Sequence, residues 1–205
     1  MNDDRPLIVG IGGTTGGPSS TESALRIALA AAEAAGARTM LFDGAALALL
    51  PHYNPKSPAR TAEERALVEA VRAAAGLIVA SPGYHGNVSG LVKNALDLLE
   101  DTARDTCRPY LSDMPVGLIA TAYGWQATGS TIAALRSIAH AFRGWPTPFA
   151  AAINSRETKC DADGASAPEI VEQLSMVGRQ VVDFALRHQM APLHETPTLR
   201  FATTG

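Results

Sequence analysis

The sequence predicts an α/β protein in which a five-stranded parallel sheet carries helices on both faces. Five short apolar segments alternate with five longer amphipathic segments along the 205 residues. Strict alternation favours a parallel sheet, because each crossover helix has to pack back onto the sheet. The third apolar segment, residues 76–81, is apolar on both faces, as a central strand should be. We expect one domain over residues 1–190. Residues 191–205 have no periodicity and predict a tail, either disordered or an arm onto a partner subunit.

Local signals bound each predicted element. The predicted strands span residues 6–12, 37–43, 76–81, 116–121 and 148–153. The first four predicted helices span about residues 21–35, 61–75, 91–101 and 129–142, and a fifth opens at Ser166. Three helix starts have capping-box spacing, a Ser or Thr followed three residues later by Glu: Ser19 and Glu22, Thr61 and Glu64, Ser166 and Glu169. Gly36 is expected to end the first helix. Residues 44–60, with three prolines, predict a long loop or a short irregular helix.

The composition favours a small-molecule partner or no partner. Apolar residues make up 46% of the chain and charged residues 18%, and a net charge of −3 leaves no basic surface for nucleic acid. The sequence has no run of 18 apolar residues, and its acidic first residues do not predict a signal peptide, so we expect a cytoplasmic protein without a membrane span. Cys107 and Cys160 form no CxxC pair, which predicts two unpaired thiols.

Ligands of parallel sheets bind at the carboxyl ends of the strands, so three loops are candidates for a site. The first loop, residues 12–21, is rich in glycine, threonine and serine and leads into a helix. Its hydroxyls and the free N–H groups of the helix predict an anion site rather than a plain tight turn, which is the alternative. The residues expected there are Gly13, Thr14, Thr15, Ser19, Ser20 and Thr21.

Two common nucleotide-binding motifs do not fit this loop. A dinucleotide G-x-G-x-x-G motif would need glycine where Thr15 stands, and a P-loop would need a lysine that the loop lacks. A hydroxyl-rich loop without lysine suits a terminal monophosphate.

The second loop has the most specific pattern in the chain. Residues 81–90 read Ser-Pro-Gly-Tyr-His-Gly-Asn-Val-Ser-Gly and lead into Leu-Val-Lys-Asn-Ala-Leu-Asp. With the segment Leu-Pro-His-Tyr-Asn at residues 50–54, this stretch closely resembles the NADPH-dependent FMN reductase family of flavodoxin-like proteins. The resemblance covers about residues 6–190 and implies the sheet order 2-1-3-4-5. It also implies an FMN ring lying against Pro82, Gly83, Tyr84, His85, Gly86 and Asn87.

The sequence departs from the family pattern in the first loop. Members commonly carry an arginine there, in a Gly-Ser-x-Arg pattern, that pairs with the FMN phosphate, whereas this chain has Thr-Thr-Gly-Gly at residues 14–17. We therefore expect a weaker phosphate site and an exchangeable FMN. By the same resemblance, the third loop, residues 121–129, approaches the ring through Ala122, Tyr123 and Gly124. Tyr123 and Trp125 are larger than the usual residues, and either line the flavin or substrate pocket or pack against a neighbouring subunit.

The resemblance implies an oxidoreductase that passes hydride from NADPH or NADH to FMN and electrons on to a second acceptor. That acceptor is a free flavin, a quinone, an azo or nitro compound, or a metal oxyanion. The family also implies a homodimer or homotetramer. The flavin carries the chemistry, so no catalytic side chain is assigned. The five histidines lack metal-ligand spacing, so no metal is expected. Lys93 and Asp97, four residues apart on a helix, predict a surface ion pair in preference to a catalytic role, which is the alternative.

Three alternatives stay open at this point. The first is a flavodoxin-type electron carrier without a nicotinamide substrate, although carriers tend to be strongly acidic. The second is a flavin-free binding protein on the same fold. The third is a Rossmann dehydrogenase in which Asp43 holds a ribose, which the missing third glycine disfavours.

Overall fold

The computed structural model describes residues 4–17, 19–57, 59–158, 160 and 166–190, with the side chains of residues 189 and 190 left out. The predicted tail at residues 191–205 lies outside them. The described strands are β1 Leu7–Gly12, β2 Arg38–Phe42, β3 Gly76–Tyr84, β4 Asn87–Val88, β5 Pro115–Ala122 and β6 Trp145–Asn154. The described α-helices are α1 Ser20–Ala34, α2 Gly44–Ala48, α3 Ala62–Ala73, α4 Gly90–Asp97, α5 Trp125–Ala141 and α6 Pro168–Met190, and a 3-10 helix covers Leu98–Thr102.

The predicted sheet is confirmed in its order and direction. Five parallel strands lie in the order β2-β1-β3-β5-β6, so the predicted fourth and fifth strands are β5 and β6. The count of five is corrected to six by β4, a two-residue strand that pairs antiparallel with the end of β3. Helices α3, α4 and α5 pack on one face and α1 and α6 on the other, which gives the predicted three layers.

One of the predicted capping boxes is complete, and another is only half formed. Thr61 and Glu64 form a full capping box, in which Glu64 N–H donates to Thr61 Oγ1 at 3.2 Å and Thr61 N–H donates to Glu64 Oε2 at 2.6 Å. Ser19 caps α1 by accepting from the Glu22 N–H at 3.3 Å. The Glu22 carboxylate turns instead to Arg26, so the return bond of that box is not formed.

Two predicted helix starts are wrong, and one predicted helix is divided into two helices of different type. The last helix starts at Pro168 and not at a Ser166 cap, because proline suits the first helical position, where no N–H is needed. Helix α5 starts at Trp125 instead of residue 129, directly after Gly124, whose φ of 131° few other residues adopt. The predicted helix over residues 91–101 is α4 followed by the 3-10 helix.

Helices α1 and α6 approach each other closely at Gly178. A Cβ atom added there would lie 2.2 Å from the carbonyl oxygen of Ala28. The lack of a side chain at Gly178 therefore sets the distance between the two helices.

Strand β6 lies at one edge of the sheet, and side chains of the neighbouring helices bind part of its outer backbone. Pro146 and Pro148 lack an N–H, which is typical of edge strands. The Phe149 N–H donates to Gln180 Oε1 at 3.0 Å, and an Arg136 guanidinium N–H donates to the carbonyl of Pro148 at 3.1 Å. Helix side chains therefore bind backbone groups of this strand.

The described residues add three further observations. No helix among them is long and apolar enough to cross a membrane. No group of three or more His, Cys, Asp or Glu side chains in this part of the chain is placed to bind a metal. Cys107 is exposed and Cys160 is buried, and they form no disulfide.

Candidate functional site

The three candidate loops meet at the carboxyl edge of the sheet. In the parallel register, Gly12 at the end of β1 lies beside Ala80 of β3, and Pro82 of β3 lies beside Thr121 of β5. The hydroxyl of Thr21, in the first turn of α1, is hydrogen-bonded to the hydroxyl of Thr121. The first loop, the end of β3 and the segment after β5 therefore form one continuous surface.

The first loop presents hydroxyls and glycine backbone to the outside. Gly13 has a φ of 135°, and a Cβ atom there would lie 2.4 Å from the Gly44 nitrogen, so only glycine fits. Gly16 and Gly17 border open space, since an added Cβ would meet no atom within 4 Å. Among the described residues, the side-chain hydroxyls that remain without a hydrogen-bond partner at this loop are those of Thr14, Thr15 and Ser20.

Two of the predicted phosphate ligands already use their hydroxyls within the protein. Ser19 Oγ caps α1, and Thr21 Oγ1 is buried against Thr121. Their backbone N–H groups, with that of Ser20, belong to the first turn of a helix whose dipole favours an anion.

The nearest basic side chain in the following helix is already paired. Arg26 forms ion pairs with Glu22 at 2.8 Å and with Asp43 at 3.3 Å. Asp43 also caps α2, since its Oδ1 accepts from the Ala46 N–H at 3.0 Å. Both oxygens of Asp43 are therefore engaged, which does not favour the dehydrogenase alternative, in which this carboxylate would hold a ribose.

The second loop is a β-hairpin, which corrects the predicted end of the third strand at residue 81. Strand β3 continues to Tyr84 and pairs with β4 through Tyr84 and Asn87. His85 and Gly86 form the two-residue turn with φ angles of 52° and 83°, the two positive values that a type I′ turn requires. A two-residue X-Gly turn between short strands is a signal that could have predicted the hairpin.

A buried serine closes the base of this hairpin. Ser81 Oγ accepts from the Ser89 N–H at 2.9 Å and donates to the Pro82 carbonyl at 2.9 Å. Ser89 in turn caps α4 by accepting from the Val92 N–H at 3.2 Å. The hairpin is thus fixed to both the sheet and the following helix.

Asn94 on α4, which the sequence interpretation left without a role, joins the two segments that carried the family resemblance. Its Oδ1 accepts from the Tyr53 N–H at 2.7 Å and lies 3.0 Å from His52 Nδ1. Its Nδ2 donates to the Pro51 carbonyl at 2.9 Å. Segment 50–54 is therefore held against α4, beside Lys93, whose predicted surface ion pair with Asp97 is confirmed at 2.5 Å.

An ion pair holds the chain that follows segment 50–54. Arg60 donates two hydrogen bonds to Asp101, at 2.7 and 2.9 Å, and its guanidinium lies 5.1 Å from the centre of the Tyr53 ring. The hydrogen bond from Arg60 lowers the pKa of Asp101, and burial raises the pKa of Tyr53. This cluster lines a cavity of about 860 Å³ between α3 and the 3-10 helix.

Three aromatic side chains stand exposed at the carboxyl edge. Tyr84, Tyr123 and Trp125 are 55%, 78% and 58% exposed. The Trp125 indole N–H donates to the Glu157 carboxylate at 3.0 Å, and Asn154 Nδ2 donates to the same carboxylate at 2.8 Å. The sequence interpretation missed Glu157 and Asn154, because their role depends on contact with a residue far along the chain.

The comparisons with known proteins agree with this architecture. The sequence model of the family described as NADPH-dependent FMN reductase matches residues 6–158. FMN-dependent NADPH-azoreductases of Staphylococcus aureus strains USA300 and NCTC 8325 are 33% identical to this chain over 99 residues. Those matches cover 48% of this chain and 48% of each relative, so the chain spans about half the length of the curated relatives it matches.

Solved structures show the fold. An oxidoreductase from Corynebacterium diphtheriae superposes with a TM-score of 0.70 at 21% identity, over 89% of this chain and 98% of that one. The flavoenzyme NAD(P)H:(acceptor) oxidoreductase FerB from Paracoccus denitrificans also has a TM-score of 0.70, at 18% identity and the same coverages. Together with the family match over most of the chain, the loops at the carboxyl edge identify this protein as a member of the NADPH-dependent FMN reductase family.

Proposed function

We propose that this protein is an NAD(P)H-dependent flavin oxidoreductase that binds FMN at the carboxyl edge of its sheet. The observation that carries the proposal is the meeting of a hydroxyl-rich loop, a glycine-containing hairpin and the segment after β5 on one surface. When bound, FMN supplies the redox chemistry, taking a hydride from a reduced nicotinamide and passing two electrons to a second molecule.

The first loop would hold the FMN phosphate. The free hydroxyls of Thr14, Thr15 and Ser20 are suitable donors, and the first-turn N–H groups of α1 add a favourable dipole. The loop contains no lysine or arginine and Arg26 is already paired, so the phosphate receives hydrogen bonds without a full counter-charge. This arrangement favours an exchangeable FMN.

The hairpin would contact the flavin ring. Gly86 and Gly124 border open space, since a Cβ atom at either position would meet at most one atom within 4 Å, at 3.9 Å. A flat ring can therefore reach the backbone amides near these glycines, as the ring contacts expected of residues 82–87 and 122–124 require. Ser81 holds the base of the hairpin, so the backbone amides of the hairpin need not rearrange when FMN binds.

Titration of the protein with FMN tests this placement, with flavin fluorescence as the readout. We expect the double variant Tyr84→Ala, Asn87→Ala to raise the dissociation constant about tenfold, since an aromatic contact and one polar contact together contribute about 1.4 kcal/mol. Leu186→Ala, an exposed change on α6, is the matched control. Unchanged affinity in the double variant would place the ring elsewhere.

Addition of NADPH or NADH without oxygen tests the activity. We expect the absorption of the bound flavin near 450 nm to bleach, because the proposed function includes hydride transfer from the nicotinamide. A flavin that neither nicotinamide bleaches would instead favour the electron-carrier alternative. The acceptor is then identified by comparing the turnover rates with free flavin, quinone, azo or nitro compounds and metal oxyanions.

A further inference from the structure

The three exposed aromatic side chains at the carboxyl edge differ in how firmly they are held. Tyr84 and Tyr123 make no side-chain hydrogen bond to any other described residue. Trp125 is also exposed, yet its indole N–H donates to both oxygens of Glu157, at 3.0 and 3.2 Å. The polar atom of the indole is thus bound to the protein, and its flat apolar surface faces outward in a fixed orientation.

Glu157 is itself fixed by a buried residue. Asn154, with 3% of its surface exposed, donates from Nδ2 to Glu157 Oε1 at 2.8 Å, and its carbonyl accepts from the Glu157 N–H at 3.0 Å. The turn is also tied to the end of β5, because the Ser155 N–H donates to the Ala122 carbonyl at 2.9 Å. Trp125, in the first turn of α5, is therefore hydrogen-bonded to a turn that is itself anchored to the end of β5.

We infer that Trp125 is the specificity-determining residue of the acceptor site, and that it selects planar, uncharged aromatic acceptors. This inference rests on the proposed function. Trp125 directly follows Gly124, one of the residues expected at the flavin ring, so its indole stands beside the surface where an acceptor must approach. A flat aromatic acceptor stacks favourably on a fixed indole. Glu157 is the positioning residue.

The charge of the two loops that carry the aromatic side chains favours the same class of acceptor, and the turn that holds Trp125 has Arg156 beside the oppositely charged Glu157. The loops that carry the three aromatic side chains, residues 81–90 and 121–129, contain no lysine or arginine. A highly charged anion such as a metal oxyanion would find no counter-charge in them, whereas an uncharged ring system needs none.

Steady-state turnover with two acceptors tests the inference. The rates are measured with saturating NADPH. The planar uncharged acceptor is 1,4-naphthoquinone, and the highly charged acceptor is hexacyanoferrate(III). We expect Trp125→Ala to lower the ratio of their kcat/KM values about tenfold. Glu157→Ala should raise the KM for naphthoquinone several-fold at nearly constant kcat, and Glu157→Gln should restore it, since glutamine keeps an acceptor for the indole N–H.

Tryptophan fluorescence gives a readout that does not depend on turnover. The chain has two tryptophans, so Trp145→Phe leaves Trp125 as the only indole. Without nicotinamide, naphthoquinone should quench the fluorescence of this variant saturably. Adding Glu157→Ala should raise the apparent dissociation constant for naphthoquinone several-fold. Trp125→Phe, which leaves Trp145 alone, is the matched control and should give no saturable quenching.

The contrary results are distinct. An unchanged acceptor ratio in a variant whose bound flavin is still bleached by NADPH would overturn the inference and leave the proposed function standing. Trp125 emission that iodide quenches only after dilution would also overturn it, because the indole would then lie in an interface between copies. Failure of the unaltered protein to bind FMN would overturn both.

Discussion

Asn94→Ala should weaken the attachment of segment 50–54 to α4. The side chain makes hydrogen bonds to the Tyr53 N–H and the Pro51 carbonyl, at 2.7 and 2.9 Å, and a third contact with the exposed His52 ring. At about 0.5–1.5 kcal/mol for each net bond, with the two exposed bonds counted least, the loss is about 2 kcal/mol. In a domain of this size that lowers Tm by about 4–8 °C.

Differential scanning fluorimetry measures the Tm, and hydrogen exchange at the Tyr53 amide measures the local effect. Lys93→Ala, one residue away on the same helix, is the matched control, because its exposed ion pair contributes at most about 0.5 kcal/mol. Equal Tm changes in the two variants would refute the assigned role of Asn94. So would an unchanged exchange rate at Tyr53.

The structure also predicts whether three further substitutions raise or lower the stability of the protein. Gly129→Ala, at an exposed position in the second turn of α5 where an added Cβ meets nothing within 4 Å, should raise the free energy of unfolding by about 0.5–1 kcal/mol in urea titrations. Gly178→Ala, the same change in α6, should lower it by about 1–3 kcal/mol, because the new Cβ meets the Ala28 carbonyl, and stabilisation there would contradict the packing. Arg60 lowers the pKa of Asp101, so the stability from this pair is complete above the ordinary carboxyl pKa of about 4 and is lost as the pH falls through the lowered value. Asp101→Asn should therefore be less stable than the unaltered protein at pH 7 and more nearly equal to it at pH 2, whereas a difference independent of pH would argue against the ion pair.

The sheet could be predicted because its signals are local. A buried strand is apolar along its own length, and a helix has its own cap and periodicity, so the order of elements follows from short segments. Gly36 ends α1 with a φ of 94°, as expected of a glycine at that position. The end of β3 and the start of α5 depended on positive φ angles at His85, Gly86 and Gly124. The sequence shows the residue type there but not which way the backbone turns.

The grouping of the three loops at the candidate site could be predicted from the sequence, whereas the side-chain hydrogen bonds that support them could not. The carboxyl ends of parallel strands meet by geometry, so the three loops could be grouped without coordinates. The Asn94 bond to Pro51 joins residues 43 positions apart, and the Trp125 bond to Glu157 joins residues 32 positions apart. Such pairs have no spacing rule, since their distance along the chain depends on how many elements lie between them.

The blocked edge of β6 limits how copies of this chain can join. Sheets extend across subunits when an edge strand offers free N–H and C=O groups to a second strand. Pro146 and Pro148 offer no N–H, and Gln180 and Arg136 already bind the next groups along the strand. A second copy therefore cannot add its strand over this part of β6. A sheet that continued from one copy into another would have to join at β2, the opposite edge, or beyond residue 149 of β6.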